Sequence, residues 1–275
     1  MKAALIPPIP ELPKFGYGDF HLLLSHLMDN DEYVHHYKEQ RRRGAYLVLD
    51  NSAHENNSGE TAEKLAKQAL RLNAQEVVVP DHLFDAEKTV MGAIAAMETW
   101  FERGTVSFQE LSPCLMYVPQ GKSEADWVEC LKELMRIHIY LAKARLVRRD
   151  LTIGLSKDYE MWPGGLSYLI ERYLFPLRED AWSTGIRMNV HLLGWGRELR
   201  ELSRIADQFP WVRSTDSAKP FVYAMSGIRL TKKKIQMQNP PTYPGRPARY
   251  FQTRLDSKGR AISMANVRVF KDAAS

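Results

Sequence analysis

Five positions stand out because each closes a short run of β-branched or aliphatic residues. Asp50 follows Tyr46 to Leu49, Asp81 follows Glu76 to Val79 and Pro80, and Gln120 follows Leu115 to Val118. Gly154 follows Leu151 to Ile153, and Asp216 follows Trp211 to Ser214. Three carboxylates gathered at one place suit substitution at an acetal-like carbon, where one attacks as nucleophile and another transfers protons. That chemistry makes a glycoside or a nucleoside the substrate class. Gln120 and the backbone of Gly154 add the donors and acceptors that read the edge of a planar base. The plainer reading of an aspartate after a strand is a helix N-cap, whose carboxylate accepts orphan backbone N–H groups. It applies to any one of the three, but Asp50 and Asp81 lie several residues before their helices begin.

Bringing these positions together requires an alternating architecture, and the sequence has one. Short strand candidates at Ala3 to Ile6, Tyr46 to Leu49, Glu76 to Val79, Leu115 to Val118, Leu151 to Ile153, His191 to Leu193 and Trp211 to Ser214 alternate with segments of helical period. Those segments are Phe20 to Tyr37, Glu60 to Leu72, Ala86 to Arg103, Glu124 to Leu146, Gly165 to Leu177 and Glu198 to Phe209. In the second, Ala62, Leu65, Ala66, Ala69 and Leu70 form one stripe. Alternation of this kind predicts an α/β protein with a parallel sheet. About seven strands by residue 216 suit a (β/α)8 TIM-like barrel, whose C-terminal mouth would collect the five positions. A doubly wound open sheet is the alternative, but no Gly-x-Gly-x-x-Gly turn follows any strand, so a dinucleotide crevice has no support.

Beyond Asp216 the alternation decays. Lys232-Lys-Lys234, Asn239-Pro-Pro241 and Pro244-Gly-Arg-Pro247 make a basic, proline-rich stretch with Tyr243, Tyr250 and Phe251 interleaved. Helix is not expected there, and Ala261 to Phe270 is predicted to return as a strand. The expected organisation is a barrel over residues 1–216 and a basic C-terminal segment over 217–275 that completes or decorates it.

The charge divides at the same point. The chain of 275 residues carries 38 Lys+Arg and 33 Asp+Glu. From Ser217 onward there are 12 basic and 2 acidic residues, leaving 26 basic and 31 acidic before it. A strongly basic end on a slightly acidic body is the footprint of a surface that meets phosphates, the alternative being a solvated tail. At 44% hydrophobic and 26% charged, the composition is that of an ordinary globular protein and excludes disorder and collagen-like structure. No run approaches the roughly 18 apolar residues of a membrane span, and Met1 to Pro10 lacks a secretory pattern, so a cytoplasmic location is expected. Cys114 and Cys130, with 15 residues between them, supply neither a disulfide framework nor a Cys-rich zinc site and read as reduced structural thiols. No cofactor or metal is expected.

The blocks around these positions resemble the tRNA-guanine transglycosylase superfamily. Asp50-Asn-Ser-Ala-His-Glu55 stands where that family has Asp-Ser-Gly-Gly-Phe-Gln, and Val118-Pro-Gln-Gly121 resembles its Val-Gln-Gly. Ile153-Gly-Leu-Ser156 resembles Gly-Leu-Ala, and His191-Leu-Leu-Gly-Trp-Gly196 resembles Leu-Met-Gly-Val-Gly. Arg213-Ser-Thr-Asp216 follows one helix later, where the family carries its nucleophilic aspartate. The blocks occur in the family's order over about two-thirds of the chain.

The resemblance implies a barrel enzyme that exchanges guanine for a 7-deazaguanine base without cutting the strand. Asp216 would attack C1′ and hold the covalent intermediate, while Asp50 would shuttle protons on the base. Asp81, Gln120 and Gly154 would bind the purine edge, with Gly121, Leu155 and Gly194 in the same base-binding blocks. Leu193 would pack on one face of the base and His54 would stack on the other, the alternative for His54 being a surface or supporting histidine. Lys219, Lys232, Lys233, Lys234, Arg246 and Arg249 would contact the nucleic acid, with Tyr243, Tyr250 or Phe251 stacking on an exposed base or packing the tail.

The departures point away from tRNA. No cysteine follows Cys130, so the zinc subdomain of the tRNA enzymes has no ligands here, and the chain is shorter than those enzymes. The traits resemble the compact deoxypurine-in-DNA branch of phages and bacterial islands, which implies DNA as polymer, with RNA as the alternative. The sequence leaves open whether the chain forms a homodimer or relies on a helper protein to open a duplex. Two rivals remain: a carbohydrate-active barrel hydrolase, against which the basic end and Gln120-Gly121 count, and a noncatalytic nucleic-acid-binding subunit, which would gain nothing from Asp50 and Asp216.

Overall fold

Eight short runs form the strands: β1 (Lys2–Leu5), β2 (Phe20–Leu24), β3 (Tyr46–Asp50), β4 (Glu76–Val78), β5 (Cys114–Tyr117), β6 (Asp150–Ser156), β7 (Arg187–Leu193) and β8 (Val212–Ser217). In the computed structural model they make one parallel sheet in the order β1-β8-β7-β6-β5-β4-β3-β2, with helices between successive strands. This is the topology of a nearly closed (β/α)8 TIM-like barrel; among the described residues β1 and β2 form no ladder. Every residue of β2 and β5 is buried, as expected of parallel strands covered on both faces. The structure describes residues 1–56, 59–102, 113–195, 199–233, 236–238, 246–247 and 249–275. No helix among them is long and apolar enough to cross a membrane.

The chain divides into two compact units, residues 21–155 with 171–189, and residues 1–20 with 156–170 and 190–275. In the first, the helices are α1 (Asp31–Arg42), α2 (Ala62–Leu72), α3 (Ala86–Met97), α4 (Glu124–Lys143) and α5 (Phe175–Ser183). The N-termini of α1 to α4 are set by side chains: Asn30, Thr61 and Asp85 each accept a backbone N–H of the first turn, and Ser123 and Asp126 form a capping box. The helix predicted from Phe20 to Tyr37 is instead β2, a short turn at Ser25–Leu27, and α1. Phe20-His-Leu-Leu-Leu24 is buried throughout, and periodicity cannot tell a short, wholly buried strand from a buried helix. This is the eighth strand that the sequence reading lacked.

In the second unit, α6 (Leu199–Gln208), α7 (Lys219–Met225) and α8 (Ser257–Ala273) accompany an antiparallel hairpin of β9 (Thr231–Lys233) and β10 (Gln236–Gln238). Helix α8 overturns the strand predicted over Ala261 to Phe270. Asp256 caps it by accepting the Gly259 N–H at 2.6 Å, and Ile262, Ser263, Asn266, Phe270 and Ala273 bury one stripe at spacings of three and four. The β-branched residues in the run were the misleading signal; burial of one helical face outweighs their propensity.

This end of the chain is fastened to its beginning. Glu11, 1% exposed, accepts two hydrogen bonds from the Arg260 guanidinium, at 2.9 and 3.0 Å, and one from the Leu255 N–H. The Tyr250 hydroxyl donates to the Ile6 carbonyl, and the Met1 ammonium donates to the Ala274 carbonyl. Asn266 donates to the carbonyls of Pro220 and Ile228 and accepts the Leu230 N–H. The described residues from Tyr250 onward are therefore built into a core with residues 1–20.

Candidate active site

In the unit that carries β8, Asp216 is the penultimate residue of that strand and only 2% exposed. Its Oδ1 accepts two N–H donors, His191 Nε2 at 3.0 Å and the Gly194 backbone at 2.9 Å. Oδ2 makes no hydrogen bond to any described residue. His191, on β7, is fully buried, and its other nitrogen, Nδ1, lies 2.8 Å from Ser214 Oγ. Ser214 Oγ in turn accepts the Arg213 Nε–H at 3.2 Å. The Nε2 side of the imidazole faces the carboxylate.

The chain of contacts runs Arg213, Ser214, His191, Asp216, and it ends on a carboxylate with one oxygen unused. Ser214 is fully buried and engaged by two partners, so the serine orients the imidazole and Asp216 is the reacting end. Hydrogen bonds to a charged acceptor are each worth about 1.5–3 kcal/mol. Gly194 has φ +62°, a left-handed conformation that costs glycine least, and this turn aims its N–H at Asp216.

In the other unit, Asp81 is buried within a set of side-chain amides. Asn51 Nδ2 donates to Oδ1 at 2.6 Å and Gln120 Nε2 to Oδ2 at 2.5 Å. Each amide is fixed at its far end. Asn51 also donates to the Val79 carbonyl and accepts the Ala53 N–H, while Gln120 Oε1 accepts the Phe84 N–H at 3.0 Å. The result is a preset row of donors and acceptors just beyond β3, β4 and β5. Beneath it the Gln120 N–H points to the Cys130 sulfur, whose thiol is pushed up to about 11 chiefly by burial.

Asp50, the last residue of β3, is half-buried and accepts the Ser52 N–H at 2.9 Å. Ser52 holds a φ of +56°, unusual for a residue with a side chain, and its hydroxyl lies 2.9 Å from His26 Nδ1 and 3.0 Å from Ser25 Oγ. Asp50 and Glu55 also act on Tyr33: burial raises its pKa most, then Tyr37, then these two carboxylates.

None of the three aspartates is a helix cap. Thr61 and Asp85 cap the helices that follow β3 and β4, and the Lys219 N–H at the start of α7 goes to Ser217 Oγ.

The other expected residues are distributed as follows. Gly154 lies inside β6 rather than after it, and Leu155 is fully buried. Ile153 pairs with Tyr117, which packs edge-on against His138 of α4, so Leu155, two residues on, faces the helical layer with its side chain. Gly121 has no side chain for a packing reason: a Cβ there would lie 2.4 Å from the Trp127 nitrogen. Leu193 is half-buried on the His191 face of β7, and His54 is exposed in the short helical turn Ala53–Asn56.

Lys219, expected on the nucleic-acid surface, is 1% exposed with its ammonium 5.5 Å from the Tyr223 ring centroid; a lysine buried in this way is not a surface cation. Arg246 and Arg249 are exposed, and Arg246 lies over Phe251 at 5.0 Å. Tyr250 is buried and packs the segment down. Gly196, Lys234 and Tyr243 lie outside the described residues, as do the side chains of Lys232 and Lys233 in β9.

The sequence reading missed His191, Ser214, Asn51, Ser52 and His26 as working parts. The available signal was register: His191 pairs with Ser214 across parallel strands, two residues before Asp216. Among the described residues no group of three or more His, Cys, Asp or Glu is placed to hold a metal ion. No protein-family model matches the chain, and no curated protein matches it.

Proposed function

We propose that this protein is a base-exchange enzyme of the guanine transglycosylase type, replacing guanine in DNA by a 7-deazaguanine base. The observation that carries the reading is Asp216: a buried carboxylate with one oxygen held by His191 and Gly194 and the other uncommitted. A carboxylate fixed in this way is prepared for attack at an anomeric carbon, because its orientation is set before substrate arrives.

In the proposed cycle Asp216 Oδ2 forms a bond to C1′ as the C1′–N9 bond breaks. The departing guanine takes the electron pair on N9 and a proton from Asp50. A 7-deazaguanine base then gives its N9 proton to the Asp50 carboxylate, N9 bonds to C1′, and the Asp216 carboxylate leaves. Charge and protons balance over the two half-reactions. His191 and the Gly194 N–H hold Oδ1 of the carboxylate, and the Asp81 and Gln120 pair supplies an acceptor for guanine N–H groups and a donor for its carbonyl. A guanine stacked in a duplex is out of reach of such a site, so the substrate is a flipped or single-stranded nucleotide, at a cost of a few kcal/mol.

Incubation with a guanine-containing deoxyoligonucleotide and labelled 7-deazaguanine tests the reading. Label enters the strand, Asp216→Ala abolishes both incorporation and the covalent adduct, and Asp50→Asn slows exchange while an adduct accumulates. Incorporation into tRNA alone would transfer the activity to RNA. Full turnover by Asp216→Ala, or no exchange on either polymer, would remove the mechanism.

A further inference from the structure

Lys157 follows β6 directly and belongs to the same unit as Asp216. It is half-buried, yet it forms no ion pair or hydrogen bond with any described residue. Its side chain runs along Gly194: a Cβ built on that glycine would lie 3.3 Å from Lys157 Cδ and 3.8 Å from both Cε and Nζ. Gly194 is the residue whose N–H anchors Asp216. The missing side chain at 194 therefore does two things, permitting the left-handed turn and leaving the lysine stem room beside the turn that anchors Asp216.

Partial burial of an ammonium costs solvation that an exposed lysine keeps. Here no described carboxylate offsets it, and Asp216 is held by His191 and the Gly194 N–H instead. Such a cation is complementary to an anion that arrives with the substrate. We propose that Lys157 binds a backbone phosphate flanking the nucleotide that Asp216 attacks. This rests on the base-exchange reading, since the phosphodiesters on either side of a nucleotide lie within one sugar of its C1′. Lysine suits the task as a compact point charge on a flexible stem, able to follow the phosphate as the sugar moves.

The test measures binding rather than turnover. A fluorescein-labelled single-stranded deoxyoligonucleotide is titrated with wild type, Lys157→Met and Lys157→Arg over a salt series, each variant first shown to melt like wild type. One lost phosphate contact on a single strand lowers the slope of log affinity against log salt by about 0.7. We expect that decrease for Lys157→Met and its restoration in Lys157→Arg, with the Michaelis constant for the oligonucleotide raised more than the turnover number falls. Base exchange by wild type together with an unchanged slope in Lys157→Met would overturn the phosphate contact and leave the base-exchange reading standing. Absence of exchange and binding in wild type, on DNA and RNA alike, would remove both.

Discussion

His138 gives a prediction whose size follows from the structure. The side chain is wholly buried in α4, edge-on to Tyr117 at 5.7 Å, and neither ring nitrogen completes a hydrogen bond of normal geometry among the described residues. Burial lowers its pKa from 6.5 to about 4, against smaller raising effects from the Arg148 backbone and the Asp150 carboxylate. In the unfolded chain the imidazole protonates near 6.5, so between the two values the unfolded state holds the extra proton. Stability is then full above about pH 7 and declines as pH falls through that window. The full interval corresponds to about 3 kcal/mol, of which about 2 kcal/mol is already lost at pH 5. Against a total stability of roughly 5–15 kcal/mol this is a large share. Urea denaturation of wild type and His138→Leu at pH 7.5, 6, 5 and 4 reads it directly. The variant lacks this contribution to the slope, so the stability difference between the two proteins moves in the variant's favour by about 2 kcal/mol from pH 7.5 to 5. Parallel pH profiles for the two proteins would refute the argument, and so would an imidazole resonance of His138 titrating near 6.5.

Gly121→Ala places a methyl 2.4 Å from the Trp127 backbone nitrogen and should destabilise by about 3 kcal/mol or more, read as a lowered Tm with loss of soluble protein; a wild-type Tm would show that the turn yields easily. Arg260→Met leaves the Glu11 carboxylate buried without its partner, so the Arg260→Met, Glu11→Leu double variant should melt higher than Arg260→Met alone. With Cys130 raised to about 11 and both thiols buried, a disulfide-exchange reagent at pH 8 should find two reactive cysteines only after denaturation; rapid reaction of native protein would contradict the burial. His191→Phe removes one of the two donors to Asp216 and should lower exchange by about tenfold or more, with His191→Gln recovering part of it; unchanged turnover in His191→Phe would detach the histidine from the nucleophile.

Most of the alternation was legible from the chain alone. Tyr46 to Leu49, Leu115 to Val118 and Leu151 to Ile153 are short apolar runs followed by aspartate, proline and glycine in turn, and the stripe through Leu65, Ala66 and Ala69 has a helical period. Local composition sets such features, so they survive without knowledge of neighbours. Two assignments failed where local composition is ambiguous. Phe20 to Leu24 is buried on both faces and carries no periodicity, and the Val267 to Phe270 end of α8 has β-branched residues on a helix whose stability comes from one buried face.

The sequence by itself determined which carboxylates stand near strand ends, because a strand and the residue that closes it are neighbours along the chain. It could not determine what each carboxylate touches. That Asp216 bonds His191 and Gly194, that Asp81 bonds Asn51 and Gln120, and that neither caps a helix are decided by the register of parallel strands and by loops returning over them. The same holds for charge. Twelve basic residues after Ser217 can be counted from the chain. Burial of Lys219, pairing of Arg260 with Glu11 and the placement of Lys157 beside Gly194 required the tertiary structure, because a cation's role depends on the solvent and partners around it.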